Sequence, residues 1–106
     1  MEKVNLENGV YKIGIFTLDM NTRKLFANGN SVRITTKEAE LLAVLAANKN
    51  NTVGRMETLS LIWGDNNYFT ARSMDVYITK LRKFLKAEPS VEIINVHGKG
   101  YKMLAE

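Results

Sequence analysis

Hydrophobic and polar positions change their period twice along this chain, and the changes divide it into three parts. The first part, to about residue 34, is a series of short strand-like pieces. Tyr11-Lys12-Ile13, Phe16-Thr17-Leu18 and Lys24 to Ala27 are separated by a turn at Asp19-Met20-Asn21-Thr22. Asn28-Gly29 is a strong hairpin signal, after which Ser31 to Ile34 is expected to pair back. A small antiparallel sheet follows from this pattern.

The helical period begins at Thr35. Thr35-Thr36-Lys37-Glu38 has the form of a capping box, in which a hydroxyl and a carboxylate satisfy each other's free amides. Ala39, Leu41, Leu42, Leu45 and Ala46 then trace one face of a helix that stops in Asn48-Lys49-Asn50-Asn51. A second helix is expected from about Arg55 to Trp63, turning Met56, Leu59, Ile62 and Trp63 to the core and ending at Gly64. Asp65-Asn66-Asn67 follow as loop, with Tyr68 and Phe69 inside it. These two aromatic residues either close the loop over the core or, if exposed, form a protein-contact surface.

A third helix, about Arg72 to Lys86, separates its faces sharply. At 100° per residue, Met74, Ile78, Leu81 and Leu85 share one narrow arc, flanked by Tyr77 and Phe84. The opposite arc holds Arg72, Val76, Thr79 and Lys83, with Ser73 and Lys80 at its edge, and the helix carries a single acid, Asp75. After Pro89 the period returns to two. Val91 to Val96 is a β-branched strand, His97-Gly98-Lys99-Gly100 a glycine turn, and Tyr101 to Leu104 the returning strand.

Charge sharpens the picture. The net charge is +4, and residues 72–106 carry seven Lys/Arg against four Asp/Glu, whereas residues 1–71 carry eight against seven. The cations thus gather on the third helix and the terminal hairpin. Three helices followed by a hairpin, charged in this way, make a winged helix-turn-helix: one helix fits the major groove of duplex DNA and the wing reaches the backbone or minor groove. Backbone phosphates supply most sequence-independent affinity, which is what a basic segment on a near-neutral scaffold serves.

The remaining composition narrows the field. A chain of 106 residues, 45% apolar, has room for one core. With no cysteine there is neither a disulfide framework nor a thiolate site, and no metal or other cofactor is expected. One histidine, no glycine loop running from strand into helix, and no paired carboxylates argue against an enzyme. His97-Gly98-Lys99-Gly100 superficially suggests a phosphate loop but lies in a hairpin. Leu41 to Ala47, the longest apolar run, is too short to cross a bilayer, and the opening residues have no signal-peptide pattern, so no membrane contact and a bacterial cytoplasmic location are expected.

At this point the residues resemble the OmpR/PhoB-type effector domains of two-component response regulators. The resemblance spans essentially the whole chain. It rests on Leu18-Asp19, Asn28-Gly29 with Val32-Arg33-Ile34-Thr35, Glu38 with Leu41-Leu42, Arg55 with Leu59, and Ile62-Trp63-Gly64. Its strongest parts are Arg72-Ser73-Met74-Asp75-Val76-Tyr77-Ile78, Leu81-Arg82, and Ile94-Asn95-Val96-His97-Gly98-Lys99-Gly100-Tyr101.

The resemblance implies an α+β winged helix-turn-helix over residues 1–106: a four-stranded antiparallel N-terminal sheet, a three-helix core and a C-terminal β-hairpin wing. It implies transcription regulation by sequence-specific binding of double-stranded DNA, with the helix at about 72–86 in the major groove and the wing, 92–104, on the backbone or minor groove. By motif position Arg72, Tyr77, Arg82 and the indole of Trp63 would contact phosphates; Ser73, Val76 and Lys80 would face bases; Tyr101 would lie near the backbone. Thr79 stands where a basic residue is frequent, and His97 where an arginine usually enters the minor groove. Lys83 and Lys86 are read as solvated or phosphate-facing, and Lys99 at the turn as a phosphate contact. RNA polymerase would be met at the loop of about residues 64 to 71, here Asp65, Asn66, Asn67, Tyr68 and Phe69. The domain would be monomeric alone and pair head-to-tail on promoter direct repeats, under phosphorelay control by a receiver domain not contained in these residues. Two other readings stay open: a winged-helix module for protein–protein contact, and the cytoplasmic part of a membrane-anchored regulator.

Overall fold

The computed structural model describes residues 4–64 and 68–105, for Tyr68 and Phe69 the backbone only. Strands β1 (Val10–Ile13), β2 (Phe16–Asp19), β3 (Lys24–Ala27) and β4 (Asn30–Arg33) form an antiparallel meander in that order. Asn28 and Gly29 both have positive φ, 51° and 81°, as a two-residue hairpin turn requires. Leu18 pairs with Leu25 on the inner face and both are buried, while all of β4 is exposed at the edge.

Helix α1 (Thr36–Ala47) starts on the expected capping box. The Thr35 hydroxyl accepts from the Glu38 amide at 3.2 Å, and the Glu38 carboxylate accepts from the Thr35 amide at 2.7 Å. Ala39 and an unbroken run from Leu41 to Ala46 are buried, which makes α1 the central helix of the core. The polar run after it is an ordered joint. The Asn50 amide donates to the Met103 carbonyl at 2.7 Å and its side chain brackets Ala105, fastening the end of α1 to the end of the chain.

Helix α2 (Arg55–Trp63) ends at Gly64 in the left-handed region (φ 83°), as expected. Helix α3 (Tyr68–Phe84) passes into a short 3-10 turn, Leu85–Ala87. Met74, Ile78, Leu81 and Leu85 are buried against α1 and the sheets. Strands β6 (Glu92–Val96) and β7 (Gly100–Leu104) form the wing.

Four features differ from the sequence expectation. Helix α3 begins at Tyr68 rather than Arg72, so Tyr68 and Phe69 belong to the helix and not to a loop. Aromatic and β-branched residues are weak helix formers, so the helical signal at these positions is faint. At its other end α3 stops at Phe84, and the last expected turn is tightened to 3-10. A strand β5 (Thr52–Gly54) was not anticipated; it pairs with β7, giving a second sheet in the order β5-β7-β6. Finally, Met56 is not in the core but 64% exposed. The buried arc of α2 is centred on Thr58, Leu59 and Ile62, and Met56 stands about 115° from that centre.

Candidate nucleic-acid interface

The outward face of α3 is a strip of cations and small groups. Arg72, Val76, Thr79, Lys80 and Lys83 are all exposed, Val76 to 54%, while Ser73 and Tyr77 are half-buried at the edge. Residues three or four apart stand above one another on a helix, so Arg72, Val76, Lys80 and Lys83 run along one side. The Lys80 ammonium lies 5.4 Å from the centre of the Tyr77 ring, and Tyr77 in turn packs on Trp63 with ring centres 5.6 Å apart. A cation held over an aromatic face loses little further freedom when it meets a base edge or phosphate. The Thr79 hydroxyl donates to the Asp75 carbonyl at 3.1 Å, a bond within the helix.

His97 and Lys99 are exposed at the wing tip, where Gly98 supplies the positive φ, 73°. Just past the turn, Gly100 passes so close to β5 that a Cβ there would lie 1.9 Å from the Val53 carbonyl oxygen. The Lys99 carbonyl accepts the Arg55 amide at 3.1 Å, so the wing is seated on the start of α2.

Two arginines tie the wing to α3. Arg82, expected to reach phosphate, donates from Nε and Nη2 to the Ile93 carbonyl on β6, at 3.0 and 2.9 Å. Nε and Nη2 thus tie Arg82 to the wing backbone, and the residue stays exposed. Arg55 donates from Nη2 to the Ala71 carbonyl at 3.1 Å and pairs through Nη1 with Asp75 at 3.0 Å. Tyr101, expected near DNA, is buried instead, and its hydroxyl donates to the same Asp75 oxygen at 2.7 Å. Partial burial works to raise the Asp75 carboxyl, but bonds from Arg55 and Tyr101, with the charges of Arg55 and Arg72, hold it below the usual carboxylate range. The bond to Asp75 raises Arg55 in turn, against its own partial burial. Burial and the adjacent carboxylate push the Tyr101 phenol up.

Sequence reasoning did not single out Arg55 as a site residue. A signal was present: an arginine at the first position of a helix faces the positive end of the dipole and needs a partner elsewhere. Asp65, Asn66 and Asn67 lie outside the described residues, as do the side chains of Tyr68 and Phe69, so the expected polymerase-contact loop has no geometry to report. Among the described residues no cluster of three or more His, Asp or Glu side chains suits a metal ion, and no helix is long and apolar enough to cross a membrane.

A helix-turn-helix with a seated wing and a cationic third helix defines the winged-helix class of DNA-binding domains. Residues 29–103 match the family described as "Transcriptional regulatory protein, C terminal". The chain is 55% identical over 102 residues to the transcriptional regulatory protein RprY of Bacteroides fragilis, covering 96% of this chain and 43% of that protein. Its fold matches the response regulator DrrB of Thermotoga maritima, an OmpR/PhoB homologue, with TM-score 0.74 and 28% identity over 92% of this chain and 45% of that one. It matches the Klebsiella pneumoniae RstA DNA-binding domain, solved in complex with the RstA box, with TM-score 0.75 and 29% identity over 92% of this chain and 98% of that domain. The chain belongs to the OmpR/PhoB-type family of transcriptional regulatory DNA-binding domains. It spans less than half the length of RprY.

Proposed function

We propose that this domain reads a specific duplex DNA site as the output domain of a two-component response regulator, with α3 in the major groove and the wing tip against the backbone or minor groove. The observation that carries this reading is the exposed α3 strip of Arg72, Val76, Lys80 and Lys83; the one acid within α3, Asp75, is neutralised by Arg55. Arg72 and Lys83 serve phosphates; Val76 and Lys80 face base edges. His97 and Lys99 add wing contacts. Head-to-tail pairing on direct repeats, contact with RNA polymerase, control by a receiver domain and a non-enzymatic role in the cytoplasm belong to the same reading and rest on family membership.

Selection of bound sites from random duplex DNA tests it. An enriched, repeated half-site is the expected result, with affinity that falls linearly in log–log form as salt rises. An unenriched pool would overturn the reading in favour of a protein-contact module.

A further inference from the structure

We propose that Arg55 is a positioning residue for DNA recognition, fixing the angle between the recognition helix and the wing so that both engage one site together. The inference rests on the DNA-binding reading above. Arg55 touches three elements at once. Its amide holds the Lys99 carbonyl at the wing turn; its guanidinium holds Ala71 and Asp75 on α3 and approaches the Tyr101 hydroxyl of β7 at 3.4 Å. Tyr101 closes the triangle through Asp75.

Tyr101 also joins β7 to α3, but only through the Asp75 oxygen that Arg55 holds as well. Arg82 binds the wing near the far end of α3, one point that by itself leaves the helix free to pivot. The Gly100–Val53 approach fixes the wing to β5 and α2 but not to α3. Asp75, held by Arg55 and Tyr101 together, is the second point, and two points set an angle. The pair also has a charge consequence. Asp75 lies on the exposed side of α3, its side chain 49% exposed, where an unpaired carboxylate would repel phosphate. Arg55 cancels it, and is itself kept off the backbone.

The test is a double-mutant cycle on the selected site, using this domain and fluorescence anisotropy, with a random duplex as the non-specific reference. Lys99→Ala reports wing engagement. We expect Arg55→Met to weaken the selected site more than tenfold while changing the random duplex by less than threefold. We expect Lys99→Ala to cost several-fold in the wild type and about threefold less in the Arg55→Met background, the coupling of a shared device. Tyr101→Phe, which keeps the ring in the core, should shift the cycle the same way by less. Asp75→Asn should raise affinity for random duplex, because Arg55 is released, while lowering the ratio of selected to random binding.

A wild type that binds no site would end the DNA reading itself. If the wild type binds and Lys99→Ala costs the same factor in the Arg55→Met and Tyr101→Phe backgrounds, the positioning role is overturned. Equal losses on selected and random duplex in Arg55→Met, with the salt slope reduced by about one, would make Arg55 a phosphate contact instead and overturn it as well. A folding defect is separated by the amide spectrum and urea midpoint of each variant; Tyr101→Phe with a wild-type midpoint and a wild-type cycle also overturns the proposal.

Discussion

Asp75 carries more of the interface than a lone helical acid would suggest. Its carboxyl is held low against the pull of partial burial, chiefly by bonds from Arg55 and Tyr101. A carboxyl lowered on folding contributes stability above its unfolded value of about 3.9 and loses it as pH falls through the folded value. Because the side chain is 49% exposed, solvent discounts the pair, and we expect Asp75→Asn to cost roughly 0.5–1 kcal/mol at pH 7. Urea midpoints at pH 7 and pH 2.5 check this. The deficit should narrow as pH falls below about 3.9, and a deficit of the same size at both values would assign the effect to the Tyr101 bond rather than to charge. Lys80 belongs to the same scale. Poised over Tyr77 and exposed, its truncation to alanine should cost about 1–3 kcal/mol on the selected site and relax preference at one base position. An unchanged preference profile would remove Lys80 from the residues that read bases.

The wing is the element whose placement is most exacting, and Gly100 shows why. A methyl group there would meet the Val53 carbonyl at 1.9 Å, and a backbone atom cannot rotate away as a side chain can. Gly100→Ala should therefore break the β5–β7 pairing and lower stability by several kcal/mol, well beyond the usual range for a surface change of this size. Thermal melting would show it, with amide exchange speeding first in β5 and the wing. An alanine variant with an unshifted midpoint would mean that β5 yields without cost. Much at this scale was legible beforehand, since the capping box at Thr35, the Asn28-Gly29 turn and the Gly64 stop are local signals that need no partner. Strand β5 was not, because Thr52-Val53-Gly54 is too short to show a period and exists only through pairing with Gly100 to Lys102. For the same reason the exposed cations of α3 could be read from helical spacing, while the commitments of Arg82 and Tyr101 could not. Their partners Ile93 and Asp75 are 11 and 26 residues away in the chain.

At the scale of the whole molecule the exposed apolar side chains decide the expected state of association. Val10, Ile15, Phe26 and Val32 belong to the N-terminal sheet region, Met56 and Leu61 to α2, and Val76 to α3. Among the described residues they are divided between the N-terminal sheet region, α2 and α3, and make no single seam of the kind a stable homodimer buries. Charge adds to this, since a net +4 disfavours contact between free copies, whereas phosphates would screen that repulsion on DNA. Pairing is therefore expected only on a duplex that holds two half-sites in tandem. Sedimentation should find a monomer at micromolar concentration without DNA. On a tandem duplex, the second copy should bind more tightly than the first, and inserting five base pairs between half-sites should abolish the gain by turning the second copy to the opposite side of the helix. Equal affinities on the tandem and the interrupted duplex would show that the copies bind independently. A stable dimer without DNA would show that one of the apolar groups is covered by a second copy before DNA is met.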